Sequence, residues 1–324
     1  MHSIADLKQL VEKGISGLVF NDEPRDLYEP ISYMLSLDAK RMRPVLVLCG
    51  CELFNGDISG AIHPALGMEV FHNFTLLHDD IMDNAPLRRS MQTVHTRWNA
   101  NVAILSGDTM FVKACQLMMM TDDRVVRSVM ELFHQTAIEV CEGQQLDMDF
   151  EKRNDVSIQE YIHMITFKTA VLPAACLKTG ALIAGADSSD ADHIYSFGRD
   201  IGVAFQIKDD LLDVFGDDKK FGKQKGGDIL ANKKTFLLIK ALEAAQGDLS
   251  VRLNHLMTST TADPVSKVSE VTAIFESLGL RRLAEQEMDH YFQSALHHLA
   301  AINVPAERKK VLEGFAQGLM MREV

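Results

Sequence analysis

The sequence is poor in residues that break a chain and lacks long uncharged apolar runs. Only 8 prolines and 20 glycines are spread over 324 residues, so little opposes long helices. Alternating β-branched runs between tight turns are missing, which argues against a sheet protein. No apolar run reaches the roughly 18 uncharged residues that a membrane span needs. Met1–Val19 carries charges throughout, so no secretory leader is read there, and the expected compartment is cytoplasmic. Basic residues are in deficit: 33 Lys and Arg face 45 Asp and Glu, a formal charge of −12. That excludes a general nucleic-acid binder, which needs a basic patch or stripe. Small anions stay possible, because a local basic cluster or a bound cation reverses the field of a cleft. There are 5 cysteines, Cys49, Cys51, Cys115, Cys141 and Cys176. Their number is odd and no C-x-x-C occurs, so they read as buried reduced thiols.

What is present is helical periodicity. Apolar residues recur at i, i+3, i+4 and i+7 in Ile4–Leu18, Val45–Leu53, Ala61–Met82, Val102–Met120 and Val125–Phe150. The pattern continues in Tyr161–Ala184, His193–Phe215, Thr235–Ala245, Leu280–Ile302 and Ala306–Met321. Breaks fall at Asn21–Pro24, Asn84–Pro86, Gly185–Asp190 and Gly216–Gly227, none long enough for an interdomain linker. The expectation is one all-α domain over residues 1–324, with mobile loops. The Met118–Met120 run reads as core or interface.

One motif occurs twice. Leu77-His78-Asp79-Asp80-Ile81-Met82-Asp83 and Phe205-Gln206-Ile207-Lys208-Asp209-Asp210-Leu211-Leu212-Asp213 both contain D-D-x-x-D near the end of an apolar run. Asp79 and Asp83 share a helix face about 6 Å apart, as do Asp209 and Asp213. Carboxylates one turn apart repel and oppose the helix dipole near a C-terminus unless a cation sits between them. Hard oxygen ligands suit Mg2+, which keeps waters and takes substrate phosphate as co-ligand.

Anion ligands accompany the acidic motifs. Lys40-Arg41-Met42-Arg43-Pro44 precedes an apolar helix, with Pro44 suited to its first turn. Arg88-Arg89 follows the first motif, Lys168-Thr169 lies inside a long apolar helix, and Lys223, Lys225, Lys233 and Lys234 flank the glycine-rich stretch after the second. His72 stands two turns before Asp79 on the same face. Arg forks phosphate oxygens and Lys supplies a compact charge, so the mixture suits a diphosphate.

In combination these residues resemble the trans-isoprenyl diphosphate synthases over about residues 36 to 240. The first motif with Arg88-Arg89 and Thr93-Val94-His95 is similar to that family's first aspartate-rich region. Phe205 through Asp213, with Gly222-Lys223, Gly226-Gly227-Asp228 and Lys233-Lys234-Thr235, is similar to its second. Lys40 to Pro44, Gly143-Gln144 with Asp147, and Lys168-Thr169 fall in the family order. Asp38-Ala39 replaces two glycines common in the family, and Ser90-Met91-Gln92 lacks its usual Gly-Lys.

The resemblance implies a single large helical bundle around a central cavity, of the isoprenoid synthase type, acting as a homodimer. It implies head-to-tail condensation of isopentenyl diphosphate with an allylic diphosphate. Asp79, Asp83 and Asp209 would ligate magnesium for the allylic diphosphate. Arg88, Lys168, Lys223 and Lys233 would bind that diphosphate, and Lys40, Arg43, His72 and Arg89 the isopentenyl one. Thr169 and Gln206 would stabilise positive charge at the reacting carbon. Phe74 and Thr75, five and four residues before Asp79, would floor the product pocket and favour C20, with C15 close behind.

The chemistry that fits is ionisation, condensation and elimination, with the departing diphosphate as the base. Two other enzyme classes compete. A terpene cyclase shares one D-D-x-x-D but needs no second diphosphate pocket. A helical HD-type phosphohydrolase would use His78-Asp79 with His63, His72 and His95, and leaves Asp209 to Asp213 unexplained. A degenerate subunit would normally have lost an acidic motif, and both are complete.

Overall fold

The structure is a computed structural model that describes residues 1–20, 22–216, 226–258 and 263–321. The described residues are helical apart from one short hairpin, as the composition and periodicity predict. The chain divides into two compact units. One comprises Met1–His134, Ala175–Tyr195 and Ile302–Val311; the other comprises Gln135–Ala174, Ser196–Ala301 and Leu312–Val324.

In the first unit, α1 (Ile4–Ser16) opens with a capping box in which Ser3 and Asp6 satisfy each other's backbone N–H groups. There follow α2 (Arg25–Ser36), α3 (Met42–Leu53) and α4 (Ile62–Met82). A hairpin pairs Leu87–Arg88 with Met91–Gln92, and α5 spans Ala100–Met118. The organising helix is α4, packed along α5 and α3. Residues Pro64 to Asn73 of α4 are buried on every side, the signature of a helix through a core. Its last turn instead carries Asp79 to solvent contact and leaves Asp83 exposed. An apolar half that anchors and an acidic half that emerges place the first motif at the rim of this unit.

The longer remaining helices are α6 (Val126–Glu151), α7 (Ile158–Ile165), α8 (Val171–Ile183), α9 (Ser188–Phe215), α10 (Phe236–Ala244), α11 (Gly247–Thr258), α12 (Pro264–Ser277), α13 (Leu280–Ala301) and α14 (Ala306–Met320). The core of the second unit gathers Phe150, Tyr161, Ile165, Ile207, Leu211, Phe236, Leu237 and Phe275. Ile207, Leu211 and Val214 face that core along α9, so Asp209 and Asp213 fall on its partly exposed side.

Several boundaries differ from the sequence expectation. Helices α2, α11 and α12 were not expected: α2 carries Pro30 inside it, and the other two have mixed polar faces. The single helix expected over Tyr161–Ala184 is α7 and α8 joined by a π-helical turn, Thr166–Ala170. A 3.6-residue period does not register one inserted residue, and such π-bulges cluster at functional sites. Helix α9 starts at Ser188, inside an expected break. Cys49, Cys51 and Cys176 are buried as expected, whereas Cys115 is half-buried and Cys141 exposed. Met118 is core, while Met119 and Met120 are exposed. None of the described helices is long and apolar enough to cross a membrane.

Candidate active site

In the first unit the end of α4 and the hairpin after it form one charged cluster. Arg88 Nε donates to both oxygens of Asp80 at 2.8 Å, and its Nη2 reaches Asp79 Oδ2 at 3.3 Å. Burial works against the Arg88 charge, but the Asp80 carboxylate and then Asp79 and Asp83 outweigh it and hold the guanidinium pKa above its usual value. The hairpin turn needs left-handed backbone at Arg89 (φ 54°) and Ser90 (φ 64°). It is held by Tyr33, whose hydroxyl donates to the Gln92 carbonyl at 2.6 Å. The Arg97 guanidinium stacks over the Tyr33 and Trp98 rings at 4.4 and 4.7 Å.

His72, two turns up α4, is buried and surrounded by charge of one sign. Burial, and then Arg43, Arg89, Arg88 and Arg41, push its pKa well below the usual histidine value, so the imidazole is neutral. Arg43 is half-buried, Lys40 and Arg89 are exposed, and the cluster is net positive. Arg41 turns the other way. It caps α3 with a left-handed backbone (φ 52°), and its side chain runs inward to Glu69 Oε1 at 2.7 Å and Leu37 O at 3.1 Å. The Lys40–Arg43 segment therefore has a buried anchor between exposed Lys40 and half-buried Arg43.

Below the acidic turn lies an aromatic stack. Phe74 is half-buried, with ring centroids 4.7 Å from His78, 5.5 Å from Phe111 and 5.7 Å from Phe71. Phe71 and Phe111 in turn meet Phe133 at 5.2 and 6.2 Å. Thr75 Oγ1 donates to the His72 carbonyl at 2.8 Å. His78 packs into this stack against Gly107, where a Cβ would lie 2.3 Å from its Nε2. The His78 ring thus faces Phe74 and Gly107, and His63 is exposed on the first turn of α4.

In the second unit the π-turn presents Lys168 and Thr169. Lys168 Nζ pairs with Asp147 of α6. Gly143 allows this approach, since a Cβ there would sit 2.2 Å from the Lys168 backbone nitrogen. Thr169 Oγ1 donates to Gln206 Oε1 at 3.2 Å, and Gln206 Nε2 donates to Asp210 Oδ1 at 3.2 Å. Asp210 also accepts the Tyr161 hydroxyl at 2.6 Å and the Phe236 N–H at 3.4 Å. Burial lifts the Asp210 pKa to about 7 despite these donors. Asp209 is half-buried on another face of the helix. Asp213 accepts the Asp228 N–H at 3.1 Å, and Lys233 Nζ lies 3.9 Å from Asp228. Lys208 Nζ, beside Asp209, donates to the last carbonyls of α14 at Leu319, 3.0 Å away, and Met320. Lys223 and Lys225 lie outside the described residues.

The donor set fits a hard divalent cation. Asp79 and Asp83 share one face at a helix end. That suits an ion which takes one or two carboxylates and completes its shell with water and phosphate oxygens. Asp80, Asp210, Tyr161, Glu69 and Tyr33 were not recognised in the sequence as site residues. The doubling of each Asp-Asp pair was the available signal, but it does not say which aspartate faces inward.

Residues 24–276 match the family model described as polyprenyl synthetase. The chain is 42% identical over 243 residues to a geranylgeranyl pyrophosphate synthase of Geoglobus acetivorans, covering 74% of this chain and 76% of that one. It is 38% identical over 257 residues to a geranylfarnesyl diphosphate synthase of Natronomonas pharaonis, covering 74% and 75%. The crystal structure of geranylgeranyl pyrophosphate synthetase from Pyrococcus horikoshii superposes with a TM-score of 0.92 at 35% identity, over 99% of this chain and 97% of that one. Two acidic helix ends, the basic residues beside them and a match over most of the chain agree: this protein belongs to the polyprenyl synthetase family.

Proposed function

We propose that this protein condenses isopentenyl diphosphate head to tail with an allylic diphosphate, giving a short-chain all-trans prenyl diphosphate. The observation that carries this reading lies at α4. One face of its end bears Asp79 and Asp83, and two turns back a neutral His72 sits among Arg43, Arg88 and Arg89. Carboxylates for a metal and cations for phosphates, on one helix, suit substrates that bring diphosphates with them.

Asp79, Asp83 and Asp209 are the magnesium ligands in this reading, and the family's enzymes use divalent metal ions. When bound, magnesium draws electron density onto the leaving diphosphate as a Lewis acid. Arg88, Lys168 and Lys233, with Lys223, hold that diphosphate and stabilise its charge as the C–O bond of the allylic substrate breaks. Thr169 and Gln206 turn oxygen dipoles toward the carbon that becomes positive. Lys40, Arg43, His72 and Arg89 hold the isopentenyl diphosphate, His72 as a neutral N–H donor. The isopentenyl double bond attacks the cation, and the proton then lost goes to an oxygen of the departed diphosphate. Phe74, supported by Phe71 and Phe111, closes the path of the growing tail beneath the acidic turn, with Thr75 beside it, and sets the product at C20, with C15 the nearest alternative.

Residues 1–324 form one isoprenoid-synthase-like helical domain in this reading. The protein acts as a cytoplasmic homodimer; the exposed Ile104, Leu105 and Val112 on α5 support self-association. The test is incubation of purified protein with magnesium, isopentenyl diphosphate and each allylic primer in turn, with products sized by mass spectrometry. A prenyl diphosphate of about 20 carbons is the expected product. No consumption of isopentenyl diphosphate with any primer rejects the reading, and a cyclised hydrocarbon would favour the cyclase alternative.

A further inference from the structure

Residues 226–234 follow the second acidic motif and carry Lys233, one of the cations that hold the allylic diphosphate in the reading above. A helical turn, Gly227–Leu230, leads to a bend and then to Thr235, the N-cap of α10. The near end of the segment is tied to the motif: the Gly226 N–H donates to the Asp213 carbonyl at 2.8 Å, and the Asp228 N–H to the Asp213 carboxylate at 3.1 Å. The far end bends at Asn232, whose backbone is left-handed (φ 55°). Asparagine is one of the few residues with a side chain that visits this conformation readily. The Asn232 N–H donates to the Ile229 carbonyl at 3.2 Å, and the Lys233 N–H to the Asp228 carbonyl at 3.0 Å. The bend thereby brings Lys233 back toward Asp228, with Nζ 3.9 Å from its carboxylate.

Helix α12 lies against both ends of this segment. A Cβ on Gly226 would fall 2.5 Å from Val268 Cγ1. Lys267, the preceding residue, donates from Nζ to the Asn232 amide oxygen at 2.7 Å. Lys267 is only 6% exposed. Burial lowers its pKa, and no carboxylate among the described residues acts on it in return. Lysine is almost never buried unless it is paired, because a desolvated charge is costly and one neutral acceptor offsets little of that cost. Folded chains keep such locally unfavourable choices chiefly at functional sites.

We propose that Lys267 is a positioning residue for the allylic diphosphate: through the Asn232 side chain it fixes the left-handed bend that aims Lys233. The assignment rests on the proposed condensation. Lys234 holds the same bend from its backbone, with Nζ 3.3 Å from the Asn232 carbonyl. Holding the bend before substrate arrives removes the ordering that binding would otherwise have to supply.

Two substitutions cut the tether from opposite ends. Lys267→Met keeps an unbranched side chain and removes the ammonium. Asn232→Gly keeps the left-handed backbone and removes the amide. Each should raise the allylic KM by about tenfold, the scale of one charge-assisted hydrogen bond. Binding of inorganic pyrophosphate with magnesium, measured by calorimetry and so independent of turnover, should weaken by a similar factor. The KM for isopentenyl diphosphate should change little. Combining the two should add no further loss, since both remove one tether. In a Lys233→Ala background neither should matter. Lys267→Met should also leave the melting temperature unchanged or raise it, because an apolar side chain replaces a buried charge. Anion affinity that falls while stability holds is a split that a purely structural role does not produce. Wild-type pyrophosphate affinity in Lys267→Met overturns the proposal, as do additive losses in the double variant or an equal rise in both KM values. If Lys267→Met does not fold, Asn232→Gly with and without Lys233→Ala decides: wild-type affinity in the single variant, or an undiminished effect without Lys233, refutes the tether. A wild-type protein that binds pyrophosphate yet leaves isopentenyl diphosphate unconsumed fails the condensation reading itself, which is a separate result.

Discussion

Arg41 and Glu69 form an ion pair in the interior of the first unit: Nη1 lies 2.7 Å from Oε1, and the side chains are 3% and 2% exposed. The pair is completed from both sides. Asn73 Nδ2 donates to the same Glu69 oxygen at 2.9 Å, and the Leu37 carbonyl accepts from Arg41 at 3.1 Å. Arg41 sits between Lys40 and Arg43, so the buried pair anchors the segment that carries two of the proposed diphosphate cations.

Glu69→Ala removes the buried partner of Arg41 and leaves that charge only the Glu12 carboxylate, 3.5 Å from its Nε. Breaking such a pair costs about 3–5 kcal/mol, and the variant should unfold at correspondingly lower denaturant. In enzyme that remains folded, the KM for isopentenyl diphosphate should rise by about tenfold or more while the allylic KM changes little, reflecting the freed Lys40–Arg43 segment. Equilibrium denaturation and two-substrate kinetics check the two parts; equal effects on both KM values would contradict the anchoring role.

Phe74→Ala opens the space that the Phe74 ring fills between His78, Phe71 and Phe111. Products should lengthen by one or more five-carbon units, visible by reversed-phase chromatography. The ring is only half-buried, so the stability cost should fall below the roughly 3–5 kcal/mol of a fully buried Phe→Ala change. An unchanged product length would rule out Phe74 as the floor.

Gly143→Ala places a methyl group 2.2 Å from the Lys168 backbone nitrogen, and the nearby atoms are backbone as well. Neither side can yield by a rotamer change, so the π-turn must move. Overpacking of this kind costs about 1–3 kcal/mol, and Lys168 and Thr169 should shift with the turn. The expected outcome is a lower melting temperature with kcat reduced by more than tenfold. Thermal denaturation combined with kinetics distinguishes this from simple destabilisation, which would leave kcat of the folded fraction intact.

Two buried groups give stability opposite pH dependences in magnesium-free protein. His72 has a folded pKa well below its usual value, chiefly from burial. The unfolded chain takes up a proton below about pH 6.5 that the folded chain refuses, so stability falls on acidification through that pH. Asp210 has a folded pKa raised from 3.8 to about 7, again chiefly by burial. Between those values the folded state holds the extra proton, so this contribution grows as pH falls from about 7 toward 4. Each group contributes a slope of about 1.4 kcal/mol per pH unit at most. Between pH 5 and 6.5 the wild type should be nearly flat, His72→Asn should gain stability on acidification and Asp210→Asn should lose it. Urea denaturation in EDTA across that range measures the slopes, and parallel curves for all three proteins would refute the assignment.

What the sequence determined by itself was whatever depends on neighbours along the chain. Helical periodicity, the scarcity of breakers and the i, i+4 spacing of Asp79 with Asp83 are local properties. They sufficed for the all-α class, for the two acidic helix ends and for the basic residues beside them. Tertiary structure decided the rest, because burial and partners come from residues far apart in sequence. The outward and inward roles within each Asp-Asp pair depend on which side of the helix the core occupies. Arg41 differs from Lys40 and Arg43 only because Glu69, 28 residues on, waits in the interior. The π-turn at Lys168 depends on how closely Gly143 lets α6 approach, a distance that no periodicity encodes.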